Sequence, residues 1–117
     1  FESTGITKIS GDVTISTDVA TGTNGTDEDG TIKFNGTGTI IGAGGTDNLT
    51  IASGKGVITF GSTIGVSAPL DGLVINSAGS SALTIPQIGN GTTAAGTNGT
   101  VSIGGSTTAS VALSGAT

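Results

Sequence analysis

Leu49-Thr50-Ile51-Ala52-Ser53, Ile58-Thr59-Phe60, Leu73-Val74-Ile75-Asn76-Ser77 and Leu83-Thr84-Ile85 are the four segments that decide the fold class. In each, an apolar residue recurs at every second position. An extended chain places such residues on one face, so each segment reads as a strand with one side buried. The pair of segments occurs twice, offset by about two dozen residues. Self-similarity at a period of that size is the signature of stacked repeats.

The same plan runs outward in both directions. Val101, Ile103, Val111 and Leu113 stand at offsets +0, +2, +10 and +12, the same offsets that relate Leu73, Ile75, Leu83 and Ile85. Upstream, Ile32 and Phe34 precede Ile40-Ile41 across an Asn35-Gly36 turn, and the segment from Ile6 to Ile15 reads as strand broken at Gly11-Asp12. The polar stretches Thr21–Gly30, Gly42–Asn48 and Gly89–Gly99 read as loops, with Asn-Gly as the turn-forming dipeptide. The reading is a single β-rich repeat domain over residues 1–117, with units starting near 13, 32, 49, 73 and 101. No helical periodicity appears, so the expected fold class is all-β.

Two all-β architectures accommodate this pattern. In a parallel β-helix (a β-solenoid) each unit is one coil with two short strands, and length variation is confined to a loop on one edge. The alternative is an antiparallel β-sandwich that polymerises by strand exchange, since short strands at regular spacing also build sandwiches. The absence of Trp, Tyr and Cys and the matched offsets favour the solenoid.

Composition narrows the functional classes. The chain of 117 residues has 23 glycines, and its only aromatics are Phe1, Phe34 and Phe60. Its core therefore rests on Ile, Val and Leu, which suits thin layers better than a deep interior. Net charge is −5, with Lys8, Lys33 and Lys55 as the only bases. Nothing here could neutralise a run of phosphates, so nucleic acid is not an expected partner. There is no polybasic segment to bind an anionic bilayer. A run of about eighteen apolar residues, as a membrane-spanning helix needs, is also missing. Without cysteine there is neither a disulfide nor a thiolate metal site. The chain opens at Phe1 with no signal-peptide pattern, which suggests a processed product or an excerpt.

Candidate sites are few. Asp27-Glu28-Asp29 is the one acidic cluster, and a flexible loop with three carboxylates is a weak candidate for Ca²⁺, which takes about six to eight oxygens. The EF-hand spacing is absent, and Gly44-Gly45-Thr46-Asp47 departs from the calcium-binding β-roll repeat at its third glycine. The simpler reading is a solvated loop tip that keeps neighbouring strands from aggregating. Asn24, Asn35, Asn48, Asn90 and Asn98 each stand in Asn-x-Thr and are weak glycan acceptors in a secreted protein. Against this, threonine is so frequent that such matches arise cheaply. Gly54-Lys55-Gly56 lacks the Ser or Thr of a phosphate loop and reads as a turn. The Thr21/Thr23 and Thr37/Thr39 pairs do not recur at a constant spacing, so no flat threonine array is expected.

Catalysis has little material. His, Cys, Tyr and Arg are all missing, and no lysine stands in a Ser-x-x-Lys context. Asp12, Asp18, Asp47 and Asp71 read as isolated acids, not as a pair facing across a cleft. No enzyme activity and no cofactor other than the weak Ca²⁺ candidate is expected.

The stretch from Asp47 to Ile85, with Leu-Thr-Ile, Val-Ile-Thr-Phe, Pro69-Leu70 and Leu-Val-Ile-Asn-Ser-Ala-Gly, resembles the repeats of giant secreted bacterial surface proteins of the filamentous-haemagglutinin type. It covers about a third of the chain, and its motifs are of low complexity. What the resemblance implies is an extracellular, cell-surface β-solenoid filament or adhesin. The expected function is a structural subunit or segment of a filament, sheath or adhesin that assembles end to end through strand stacking. Its partners would be copies of itself and a host or neighbouring cell surface, with no membrane insertion. The alternatives are a carbohydrate- or surface-binding β module, which would lack the usual Trp or Tyr platform, and a β-helical polysaccharide-active enzyme.

Overall fold

The computed structural model describes residues 1–18, 29–35, 39–44, 46–76, 83–89, 96–104 and 111–113. Its strands are β1 (Glu2–Ser3), β2 (Thr7–Ile9), β3 (Asp12–Ser16), β4 (Ile32–Phe34), β5 (Ile40–Gly42) and β6 (Asn48–Ala52). They are followed by β7 (Ile58–Phe60), β8 (Gly72–Asn76), β9 (Leu83–Ile85), β10 (Val101–Ile103) and β11 (Val111–Leu113). No helix occurs among the described residues. The fold is all-β, and all seven strand pairings among those residues are parallel. The antiparallel pairing of the sandwich alternative is not seen there.

One sheet has the order β10-β8-β6-β3 and a second has β1-β4-β7, while β2 pairs with β5 and β11 with β9. Single-residue parallel bridges extend the β2–β5 ladder, Ile40 to Ile64 and Ile64 to Ile88. Every pairing therefore joins one layer of chain to the next, and β1, β2 and β3 form the first layer. The strand that begins at Ile32 stands in a different sheet from those that carry Val13, Leu49, Leu73 and Val101.

Register explains why the alternating pattern was needed. Val13, Leu49, Leu73 and Val101 are successive Cα partners, as are Ile15, Ile51, Ile75 and Ile103. Like residues thus stack on like along a column. Leu49, Ile51, Leu73 and Ile75 are fully buried and form the heart of the core with Ile32, Ile40, Ile64, Leu70 and Ile85. Each such side chain is worth about 1.5–3 kcal/mol of hydrophobic stabilisation. Parallel sheets usually have both faces covered. Here the outward positions are Thr14, Thr50, Val74 and Ser102, half-buried or exposed, so a single face carries the core.

Aromatic residues stack along a second column. The Phe1 and Phe34 rings lie 5.5 Å apart and tilted, and the Phe34 and Phe60 rings 5.5 Å apart and nearly parallel. Ile6, expected within the first strand, lies between β1 and β2 and is 69% exposed. It does not point into the core.

Layer spacing is tight enough to dictate glycine at particular points. Gly65 has φ +70°, and a Cβ there would collide with the Gly96 carbonyl oxygen. Gly65 and Gly96 meet because the Gly96 N–H donates to the Gly65 carbonyl at 2.7 Å. Any side chain at 65 would meet both backbone strain and a steric block.

Candidate functional site

Two features stand out beyond the core: a polar column, and the outer strands β3 and β10 of the four-stranded sheet, which have no further strand partner among the described residues. The column is centred on Asp47, which immediately precedes β6 and is buried. Its Oδ1 accepts the Gly11 N–H at 2.9 Å from the layer before. Its Oδ2 accepts the Ala43 and Gly44 N–H groups at 2.7 and 2.8 Å. This one buried carboxylate thus accepts from three backbone donors, two at its own turn and one from the layer before, which satisfies its own buried oxygens.

The next layer repeats the theme. The Asp47 N–H donates to Asp71 Oδ2 at 2.9 Å, and the Asp71 N–H donates to the Asp47 carbonyl at 2.8 Å. The two aspartates that read as isolated in sequence are therefore stacked neighbours. Asp12 is also engaged, through Asn48. The Gly11 N–H chiefly holds the Asp47 carboxyl below the usual aspartate range; burial opposes this, and Gly44, Ala43 and the Lys8 charge add to it. A carboxylate whose folded pKa is lowered gives stability that is complete above its unfolded pKa and is lost as pH falls through the folded value. Asp47→Asn is expected to lower the thermal midpoint at neutral pH, with the gap to the parent narrowing in acid. Melting curves across an acid pH series check this; a gap that stays constant would remove the carboxylate from the account.

The asparagines fall into a pattern that their sequence context did not reveal. Asn35 Nδ2 donates to Glu2 Oε1, Asn48 Nδ2 to Asp12 Oδ1 at 2.7 Å, and Asn98 Nδ2 to Asp71 Oδ1 at 3.5 Å. In each case an amide of one layer reaches a carboxylate of the layer before. Asn24 and Asn90 lie outside the described residues, as do Asp27 and Glu28. Asp29, the third member of the acidic cluster, accepts the Lys55 N–H at 2.6 Å and so pins the Gly54-Lys55-Gly56 turn of the next layer. No group of three or more acidic, His or Cys side chains placed to hold a metal occurs among the described residues.

At the ends, the core columns stop short. Val13 and Ile15 on β3 are only partly buried, as is Ile103 on β10, and Val101 is 42% exposed. Phe1 is also half exposed, covering Phe34 from one side only. The two ends differ in charge. Glu2, Lys8 and Asp12 place an ionisable side chain in each strand of the first layer, whereas residues 72–117 carry no ionisable side chain. Hydroxyls near the turns are used structurally: Ser53 Oγ donates to the Gly56 carbonyl at 2.8 Å and Thr17 Oγ1 to the Gly30 carbonyl at 2.6 Å.

Compared with protein-family models, curated proteins and solved structures, the chain gives no match.

Proposed function

We propose that the layered path is that of a β-solenoid and that the protein is a structural subunit or segment of an extracellular filament, sheath or adhesin. It works by stacking end to end on copies of itself. The observation that carries this reading is the pair of edges on one sheet that have no further strand partner among the described residues. β3 and β10 are its outer strands, and they end the same two apolar columns, with Val13/Ile15 on one side and Val101/Ile103 on the other. A second copy added in register would continue both columns and the parallel ladder without a change of pattern.

Edge strands with free N–H and C=O groups template further pairing unless charge, proline or a cap prevents it. The first-layer strands carry charges, but β10 and β11 are Val-Ser-Ile and Val-Ala-Leu. The charges that could guard an edge are therefore on the upstream side. Resemblance of Asp47–Ile85 to filamentous-haemagglutinin repeats supports a secreted, cell-surface setting and a role without catalysis.

The purified chain is expected to form rods that lengthen with concentration, seen by negative-stain microscopy and sedimentation. Ser102→Lys, which puts a charge on the exposed face of β10, should shorten or abolish them while leaving the circular dichroism spectrum unchanged. Particles that stay monomeric at every concentration would overturn the reading.

A further inference from the structure

Asn98 and Gly99 form the dipeptide that enters β10, the last strand of the four-stranded sheet. We propose that Asn98 is a site of spontaneous deamidation and that its conversion loosens the fourth layer. In this reaction the Gly99 backbone nitrogen, once deprotonated, attacks Asn98 Cγ. The Cγ–Nδ2 bond breaks, ammonia leaves, and a five-membered imide forms. Water then opens the imide at either carbonyl, giving aspartate or isoaspartate. The net change is amide plus water to carboxylate plus ammonia, so no oxidant or enzyme is needed.

Four observations converge on this residue. Asn98 is exposed, so water reaches the amide. Among the described residues its Nδ2 is held only by the long 3.5 Å contact with Asp71. The Gly99 N–H makes no hydrogen bond among the described residues, whereas the Asn98 N–H is anchored to the Leu70 carbonyl at 2.8 Å. Most tellingly, glycine at 99 is imposed by packing. A Cβ there would collide with the Asp71 carbonyl oxygen, so the residue that leaves Asn98 open to attack cannot be exchanged for a bulkier, protecting one. Asn48 is the internal contrast. It makes the same kind of cross-layer contact, at 2.7 Å, but lies within β6 and precedes Leu49, a bulky residue in the ladder.

The product changes the sign of the contact. The Asn98 amide donates to Asp71, while a carboxylate at 98 would face Asp71 as a like charge at the same short range. Isoaspartate would also lengthen the backbone between the Leu70–Thr97 bridge and the start of β10, pulling the two out of register.

Purified protein held at neutral to mildly alkaline pH, sampled over time and mapped by peptide mass spectrometry, tests the chemistry. Asn98 should convert several-fold faster than Asn48, and acid should slow it because the attacking nitrogen must lose its proton. Equal rates at the two positions would overturn the proposal. The consequence is tested with Asn98→Asp, expected to melt below the parent at neutral pH and to approach it in acid. Asn98→Ser, which removes the amide without adding charge, should stay close to the parent at both. An Asn98→Asp protein with the parent's midpoint at neutral pH would show that the charge leaves the fourth layer untouched.

Discussion

An Ile51→Ala protein is expected to be less stable than the parent by about 2–5 kcal/mol, the range for truncating a large buried aliphatic residue. Ile51 is fully buried, with Ile15 in the layer before and Ile75 in the layer after. A cavity there has walls on two neighbouring layers, and parallel strands held in register on both sides have little freedom to collapse into it. Against a total stability of about 5–15 kcal/mol for a domain of this kind, the substitution leaves little margin. Ile15→Ala removes the same atoms from the same column but at the β3 edge, where the side chain is only partly buried. Its cost should be less than half as large. Urea unfolding of both variants, with the slope compared to that of the parent, decides the matter. Equal losses at 15 and 51 would mean that the column is not graded from a closed middle to an open end.

The strands that build this column were largely legible in the residues. Alternation at Leu49/Ile51, Leu73/Ile75 and Val101/Ile103 identified the strands of one sheet, because a half-buried strand imposes a period of two on its side chains. The matched offsets from Leu73 and Val101 correspond to neighbouring paired strands, β8 with β10 and β9 with β11. The ladder through Ile40, Ile64 and Ile88 was not legible as a sheet. Two of its members are single-residue bridges, too short for any periodicity to be expressed. Asn-Gly was read as a turn signal from hairpin preference, yet at Asn98-Gly99 the glycine answers to the Asp71 carbonyl of the adjacent layer.

Asp47 was missed for a different reason. Pattern reading followed apolar residues and left the acids as scattered charges. The signal was nevertheless present: Asp47 and Asp71 each stand two positions before a core leucine, Leu49 and Leu73, that pair with each other. Transferring the apolar register to the polar residues beside it places Gly11, Asp47, Asp71 and Gly99 in one column. Stacked repeats make every position a neighbour of its equivalent, so a buried polar residue can be found by its offset as readily as an apolar one.

The same register separates two substitutions that the sequence alone treats as equivalent, Leu83→Asp and Ile103→Asp. Both replace an apolar residue of the alternating pattern with a charge. Leu83 is almost wholly buried in β9, which lies against β7 on one side and pairs with β11 on the other. An aspartate there is an uncompensated charge in the interior, a loss of about 3–5 kcal/mol on top of the lost leucine packing, and the protein is expected to melt far below the parent. Ile103 is partly buried on β10, the outer strand of its sheet, so an aspartate at 103 can keep water around it. Ile103→Asp should therefore retain the β-sheet circular dichroism signal and a cooperative melt; if the proposed stacking holds, it should lose end-to-end association, because the carboxylate would end the apolar column that a next copy would continue. Sedimentation velocity and negative-stain microscopy on both variants separate failure to fold from failure to stack. Rods of parental length from Ile103→Asp would place the joint between copies somewhere other than the β10 edge.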